Sequence, residues 1–223
     1  MDSADDRSST AGVGSDCTLI PGPASALIDR WAKDIKIGAR CINAMAETVA
    51  IKPAFRDAFA RGQRCIVPVD GFYEWKKTGT GKQPYAIVGA DGLPLALAGL
   101  WERWRDRAAG DTTQTFTIIT TAPNELCAPI HDRMPVVLPR EVWATWLGEH
   151  GAEPDDLLAL LRPYPAELMR AYPVGVRVGN VRNNDAALLD EISSPATVDV
   201  KLRVRLGRRG RGGAVSLLKP SGQ

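Results

Sequence analysis

With 223 residues and a mass of 24.1 kDa, the chain suits one ordinary domain with tails and can bury a core without disulfide staples. Its composition, 44% apolar and 24% charged, is that of a globular protein, and a net charge of +2 excludes a uniformly basic nucleic-acid binder. No apolar run reaches the roughly 18 residues of a membrane span, and the acidic, polar start "MDSADDRSSTAGVGSD" is unlike a signal peptide, so a cytoplasmic protein with no membrane partner is expected.

Residues 1–24 are rich in Ser, Asp, Gly and Pro and poor in large apolar side chains, which predicts a disordered leader. A folded domain is expected over residues 25–195. Within it, "KPAFRDAFARG" starts at Pro53 and stops at Gly62, with Phe55 and Phe59 on one face of a short amphipathic helix. In "RCIVPVDGFYEWKKTGTGKQPYAIVGADGLPLALAGLW", β-favouring segments alternate with Gly-bearing turns, which predicts a meander of antiparallel strands. "QTFTIITTA" is a further strand, "PREVWATWLGE" and "EPDDLLALLRP" are helices that open on Pro and acid, and "AYPVGVRVGNV" returns to strand. Residues 196–223 are expected to form a basic flexible tail, where "KLRVRLGRRGRGG" carries six basic residues and no acid. That tail reads as a solvated segment or as a nucleic-acid contact. Strands grouped rather than strictly alternating with helices indicate an α+β fold with a largely antiparallel sheet.

The sequence holds neither G-x-x-x-x-G-K-[ST] nor G-x-G-x-x-G, so no phosphate loop is expected. Its four cysteines (Cys17, Cys41, Cys65, Cys127) show no C-x-x-C spacing and only two histidines accompany them, which argues for reduced thiols, no metal and no cofactor. Of those histidines, His150 sits in a polar stretch at a helix end, whereas His131 lies in "APIHDRMPVVL", just before a Pro and a short apolar strand. Histidine is the side chain that titrates nearest neutral pH. "GARCINAMAETVA" places Asn43 and Glu47 around small and apolar residues, and "IITTAPNE" ends a strand in Thr120 and Thr121. In "VDGFYEWKK", Glu74 shares a strand face with Phe72, and a carboxyl on an apolar face is partly desolvated, which raises its pKa and suits proton transfer. Each residue also has a structural reading. Asn43 can cap or turn, Glu74 can pair with Lys76 on a solvent face, and His131 can be a hydrogen-bonded loop histidine.

Taken together, "WAKDIKIGARCINAMAETVA", "PAFRDAF", "RCIVPVDGFYEWKK", "KQPYAI", "LALAGLWE", "FTIITTAPNE" and "IHDRMPVVL", in that order, resemble the SRAP family of SOS-response-associated peptidases and abasic-site-processing proteins. The likeness runs from Trp31 to Leu147 and more loosely through "VGNVRNNDAALLDEI". The resemblance implies a compact α+β domain with a barrel-like β core and flanking helices, working as a monomer near the nucleoid. Its implied partner is single-stranded DNA carrying abasic sites, with which the family forms a DNA–protein crosslink. It further implies catalytic roles for Asn43, which orients amine and sugar, for Glu74 as acid/base, and for His131 as proton donor or acceptor on the sugar side. Thr120 would be a supporting hydroxyl, Trp31 a DNA-stacking aromatic, and Lys33, Lys36, Arg40 and Arg133 phosphate contacts.

The chain departs from the family pattern in two places. The family's nucleophile is a cysteine at position 2 in a start resembling M-C-G-R, whereas this sequence reads "MDSADD", and Met45 stands where an Arg is usual. Either an N-terminal segment is lacking or the member has diverged and lost crosslinking. A non-enzymatic single-strand binder and a decayed fragment are the rival readings, while a peptidase acting on other proteins finds no Ser/His/Asp or metal motif to support it.

Overall fold

The structure is a computed structural model that describes Leu27, Ile28, Ala32 and residues 41–79, 81–106 and 110–193. Among these, eight strands form two sheets. The first sheet holds β1 (Asn43–Met45), β2 (Arg64–Val69), β5 (Leu95–Arg105), β6 (Thr112–Thr121) and β7 (Met134–Pro135), in the order β1-β6-β5-β2 with β7 also on β6. The second holds β3 (Gly71–Thr78), β4 (Gly81–Gly89) and β8 (Met169–Pro173), in the order β3-β4-β8. Every pairing is antiparallel except that of β1 with β6. The α+β class with a largely antiparallel sheet is therefore as the sequence indicates, but the described strands form two open sheets and no closed barrel.

The expected meander is interrupted. β2 pairs with β5, while β3 and β4 leave as the hairpin of the other sheet. The chain changes sheets at the Asp70–Gly71 corner, where β3 closes so tightly on β4 that a Cβ on Gly71 would sit 2.7 Å from the Ile87 carbonyl oxygen. Only glycine fits there without moving backbone.

A second feature sets up the site. β5 and β6 pair from Arg105 and Thr112 down to Gly99 and Ile118, and then splay. The segment after β7 fills the gap, with Val136 N–H donating to Ile119 O (2.8 Å), Ala98 N–H to Val136 O (2.9 Å) and Leu138 N–H to Ala96 O (2.8 Å). The "MPVVL" run is thus a strand wedged into the sheet, as its apolar composition suits, and the "IHDR" turn that precedes it stands at the point where the sheet divides.

β5 is the central strand and is buried along its first six residues. Its alternation feeds two cores. Ala98 and Leu100 join Ala44, Phe55, Phe59, Ile119 and Trp146 in one, and Leu95 and Leu97 join Ile87, Cys127, Met134 and Met169 in the other, where Phe72 packs. The helices are shorter than expected: α1 (Arg56–Ala60), α2 (Trp143–Leu147) and α3 (Pro154–Ala159). α2 stops at Gly148, whose φ of 83° is the left-handed conformation that favours glycine at a helix end. Phe55 and Phe59 are both buried as their spacing predicts. The expected strand "AYPVGVRVGNV" ends at Pro173 and continues as a 3-10 turn over Val176–Gly179, because Pro and Gly break the ladder there. The folded unit runs to Ile192, with Ser193–Gln223 a separate unit. The leader over 1–24 and the tail over 196–223 lie outside the described residues.

Candidate active site

Glu74 lies on β3 two residues after Phe72 and on the same face, so the strand that sends Phe72 into the core also turns the carboxyl inward. Burial raises the Glu74 pKa above the usual carboxylate range, against the lowering effect of the nearby His131, and the Asp132 charge raises it further. His131 comes from the turn at the split in the first sheet. Its amide donates to Cys127 O at 2.9 Å, which ties the turn down on its N-terminal side. The ring then faces Glu74, with Nε2 3.8 Å from Oε2.

The other ring nitrogen is also engaged. Nδ1 lies 3.1 Å from Arg133 N and 3.2 Å from Arg133 O, so it accepts from the amide in one neutral tautomer and donates to the carbonyl in the other, and Nε2 faces Glu74 as donor or as acceptor accordingly. In the doubly protonated ring, Nδ1–H meets the Asp132 carboxylate at 3.2 Å. A half-buried carboxyl and a more exposed imidazole at this separation can pass a proton to and from a molecule placed between them.

Asn43 and Met45 stand exposed on β1, on the opposite face from buried Ala44. Parallel pairing aligns Asn43 with Ile118 and Met45 with Thr120. Ile118 packs against the same core as Phe72, and by strand alternation Asn43 and Thr120 share its face of the first sheet. The Thr120 hydroxyl donates to Ala44 O at 3.2 Å and so ties β1 to β6. Arg133 forks onto Glu47, Nη1 to Oε1 at 2.8 Å and Nη2 to Oε2 at 2.9 Å, and Nη2 also donates to Thr120 O at 2.6 Å. The guanidinium holds the Glu47 carboxyl below its ordinary pKa. Trp31, Lys33, Lys36 and Arg40 lie outside the described residues.

Two neighbours of the site carried no sequence signal that set them apart. Cys127, buried beneath the turn, has its thiol pKa pushed up to about 11 by burial first and then by the Glu74 charge. Asn124 is a buried hub. Its Oδ1 accepts the Cys127 N–H at 2.9 Å and its Nδ2 donates to Tyr164 O at 2.7 Å, so one side chain joins the end of β6, the turn that leads to His131 and the approach to β8. Its place in "TTAPNE", just past the strand end, marks it as a turn former and nothing more. Beside Glu47 a cavity of about 350 Å³ opens between Ala46, Ala50, Ile51, Leu158 and Leu161.

Comparison with known proteins places this geometry in a lineage. The family model described as SOS response associated peptidase (SRAP) matches residues 24–181. The chain is 47% identical over 165 residues to the abasic site processing protein YoaM of Bacillus subtilis, covering 74% of this chain and 72% of that one. It is 37% identical over 153 residues to the abasic site processing protein YedK of Escherichia coli, covering 68% and 67%. A crystal structure of a protein from Bacteroides thetaiotaomicron superposes with a TM-score of 0.69 at 32% identity, over 75% of each chain. A match of this extent, over the strands and turn that carry Asn43, Glu74 and His131, leaves one assignment: the chain belongs to the SRAP family.

Proposed function

We propose that the chain processes abasic sites in single-stranded DNA, with Glu74 and His131 as its proton-transfer pair. Its relatives are named abasic site processing proteins. The observation that carries the reading is the pairing of a carboxyl raised by burial with an imidazole 3.8 Å away, on a turn anchored from both sides. An abasic sugar exchanges between a closed hemiacetal and an open aldehyde. Opening takes a proton from the anomeric hydroxyl and gives one to the ring oxygen. Glu74 and His131 can serve the two ends of that transfer, one taking the proton and the other giving one. Asn43, exposed on β1, offers an amide to the sugar hydroxyls.

Covalent capture asks for more. An amine condenses with the aldehyde, releasing water and leaving an imine, and a thiol on the same residue adds across the C=N bond to close a thiazolidine. Cys17, Cys41, Cys65 and Cys127 all carry their nitrogen in a peptide bond, so none supplies both groups. Covalent capture by this route therefore calls for a cysteine whose own amine is free.

The test is a denaturing gel of the chain mixed with an abasic single-stranded oligonucleotide, beside a version extended to begin Met-Cys-Gly-Arg. The extended version should shift the DNA covalently, and Glu74→Gln or His131→Ala in it should slow that step by ~100-fold or more, the usual share of acid–base catalysis. Absence of an adduct with the extended version, together with equal affinity for abasic and intact strands, would sink the reading.

A further inference from the structure

We propose that Glu47 is a positioning residue, which clamps Arg133 so that the 131–133 segment presents His131 to Glu74. This rests on the reading of Glu74 and His131 as the proton-transfer pair. Between the Cys127 carbonyl that receives the His131 amide and the first pairing of β7, the chain has no regular structure to hold it. Arg133 is the residue that fastens it. Its backbone N–H is bonded to the His131 ring, and its side chain is fastened to both Glu47 oxygens, to Thr120 O and, at 3.3 Å, to Thr120 Oγ1. The route therefore runs from the 3-10 turn after β1, through the end of β6, to the imidazole.

The geometry also decides what kind of contribution this is. The Glu47 side chain is 49% exposed and that of Arg133 24%, so charge attraction alone contributes little to stability. A bidentate fork instead fixes direction, because both N–H···O bonds hold only in one plane. The end-on fork of Arg133 is taken up by Glu47, and its Nε is buried without a hydrogen-bond partner among the described residues. Glu47 also lines the small cavity, while both of its carboxylate oxygens are engaged by Arg133.

Glu74 reports on the arrangement without any DNA. The groups that face it are the His131 ring, which lowers its pKa, the Asp132 carboxylate, which raises it, the Cys127 thiol and the Trp75 backbone N–H. If His131 swings away, the lowering contribution is lost and Glu74 must titrate higher. The experiment follows the side-chain carboxyl carbon of Glu74 by NMR through a pH titration of the full chain, assigned with Glu74→Gln. Wild type is compared with Glu47→Gln, Arg133→Lys and His131→Ala, and with Glu47→Gln in the His131→Ala background. Glu47→Gln and Arg133→Lys should both move the Glu74 midpoint upward, toward that of His131→Ala. In the His131→Ala background, Glu47→Gln should then add nothing. An unmoved midpoint in Glu47→Gln overturns the proposal, and so does a shift that persists without His131, since it would then reach Glu74 by another route. Arg133→Lys keeps the charge and loses the fork, so it stands in if Glu47→Gln fails to fold. A positive titration with negative DNA assays would remove the functional reading and leave the clamp intact.

Discussion

Glu74 shows how much one residue's chemistry depends on its neighbours. Its place beside Phe72 in an alternating strand is enough to predict partial burial, and burial is the leading cause of its raised pKa. The sign of the linked stability follows. A carboxyl whose folded pKa lies above its unfolded value near 4.5 favours the folded state below that value, and this contribution is lost as pH rises through the folded pKa. Thermal melts of Glu74→Gln should therefore gain on wild type as pH climbs out of the carboxylate range, and a gain by wild type instead would show that His131 outweighs burial. Cys127 carries the same logic for a thiol. With a pKa of about 11 and 1% exposure, it should resist alkylation at pH 8 in the native protein and react on unfolding, counted by mass spectrometry.

At the scale of elements, two local solutions place the site. The first is the corner at Gly71, where β3 leaves the sheet of β2 and takes Glu74 with it. Because a Cβ there meets the backbone oxygen of Ile87, Gly71→Ala should cost about 1–3 kcal/mol, the range for overpacked sites. The same variant should weaken any Glu74-dependent activity, and a denaturant midpoint equal to wild type would contradict the tightness of the corner. The second is the wedge of Met134–Leu138 between β5 and β6. Its apolar residues are plain in the sequence, and so is the turn before it. That β5 and β6 open to receive it is not, since strand pairing depends on which partner reaches a given edge and not on the strand's own composition. The predicted helices were correctly placed yet overlong, because Gly and Pro mark where a helix must stop and tertiary packing decides where it begins.

Across the whole molecule, Asn124 links the segment after β6 to the segment before β8 through hydrogen bonds to the Cys127 N–H and the Tyr164 carbonyl. Replacing it with Ala leaves the Cys127 N–H and the Tyr164 carbonyl without their partner in a buried setting, at roughly 1–3 kcal/mol for each. Asn124→Ala should thus lower the denaturant midpoint by more than a surface substitution would, with an unchanged slope, and should loosen the turn that bears His131. A variant as stable as wild type would mean that water replaces the amide at no cost.

The sequence by itself determined the fold class and offered the titratable side chains of the candidate site, because alternation, turn formers and titratable side chains are local properties written at each position. It also carried the family, through short motifs kept in order. Only the tertiary structure decided that the strands divide into two open sheets, that Glu74 and His131, far apart in the chain, come within 3.8 Å of each other, and that Arg133 is held by Glu47. Those outcomes depend on contacts between residues far apart in the chain, and a contact of that kind is set by packing and charge pairing after the elements have formed, so no local pattern announces it.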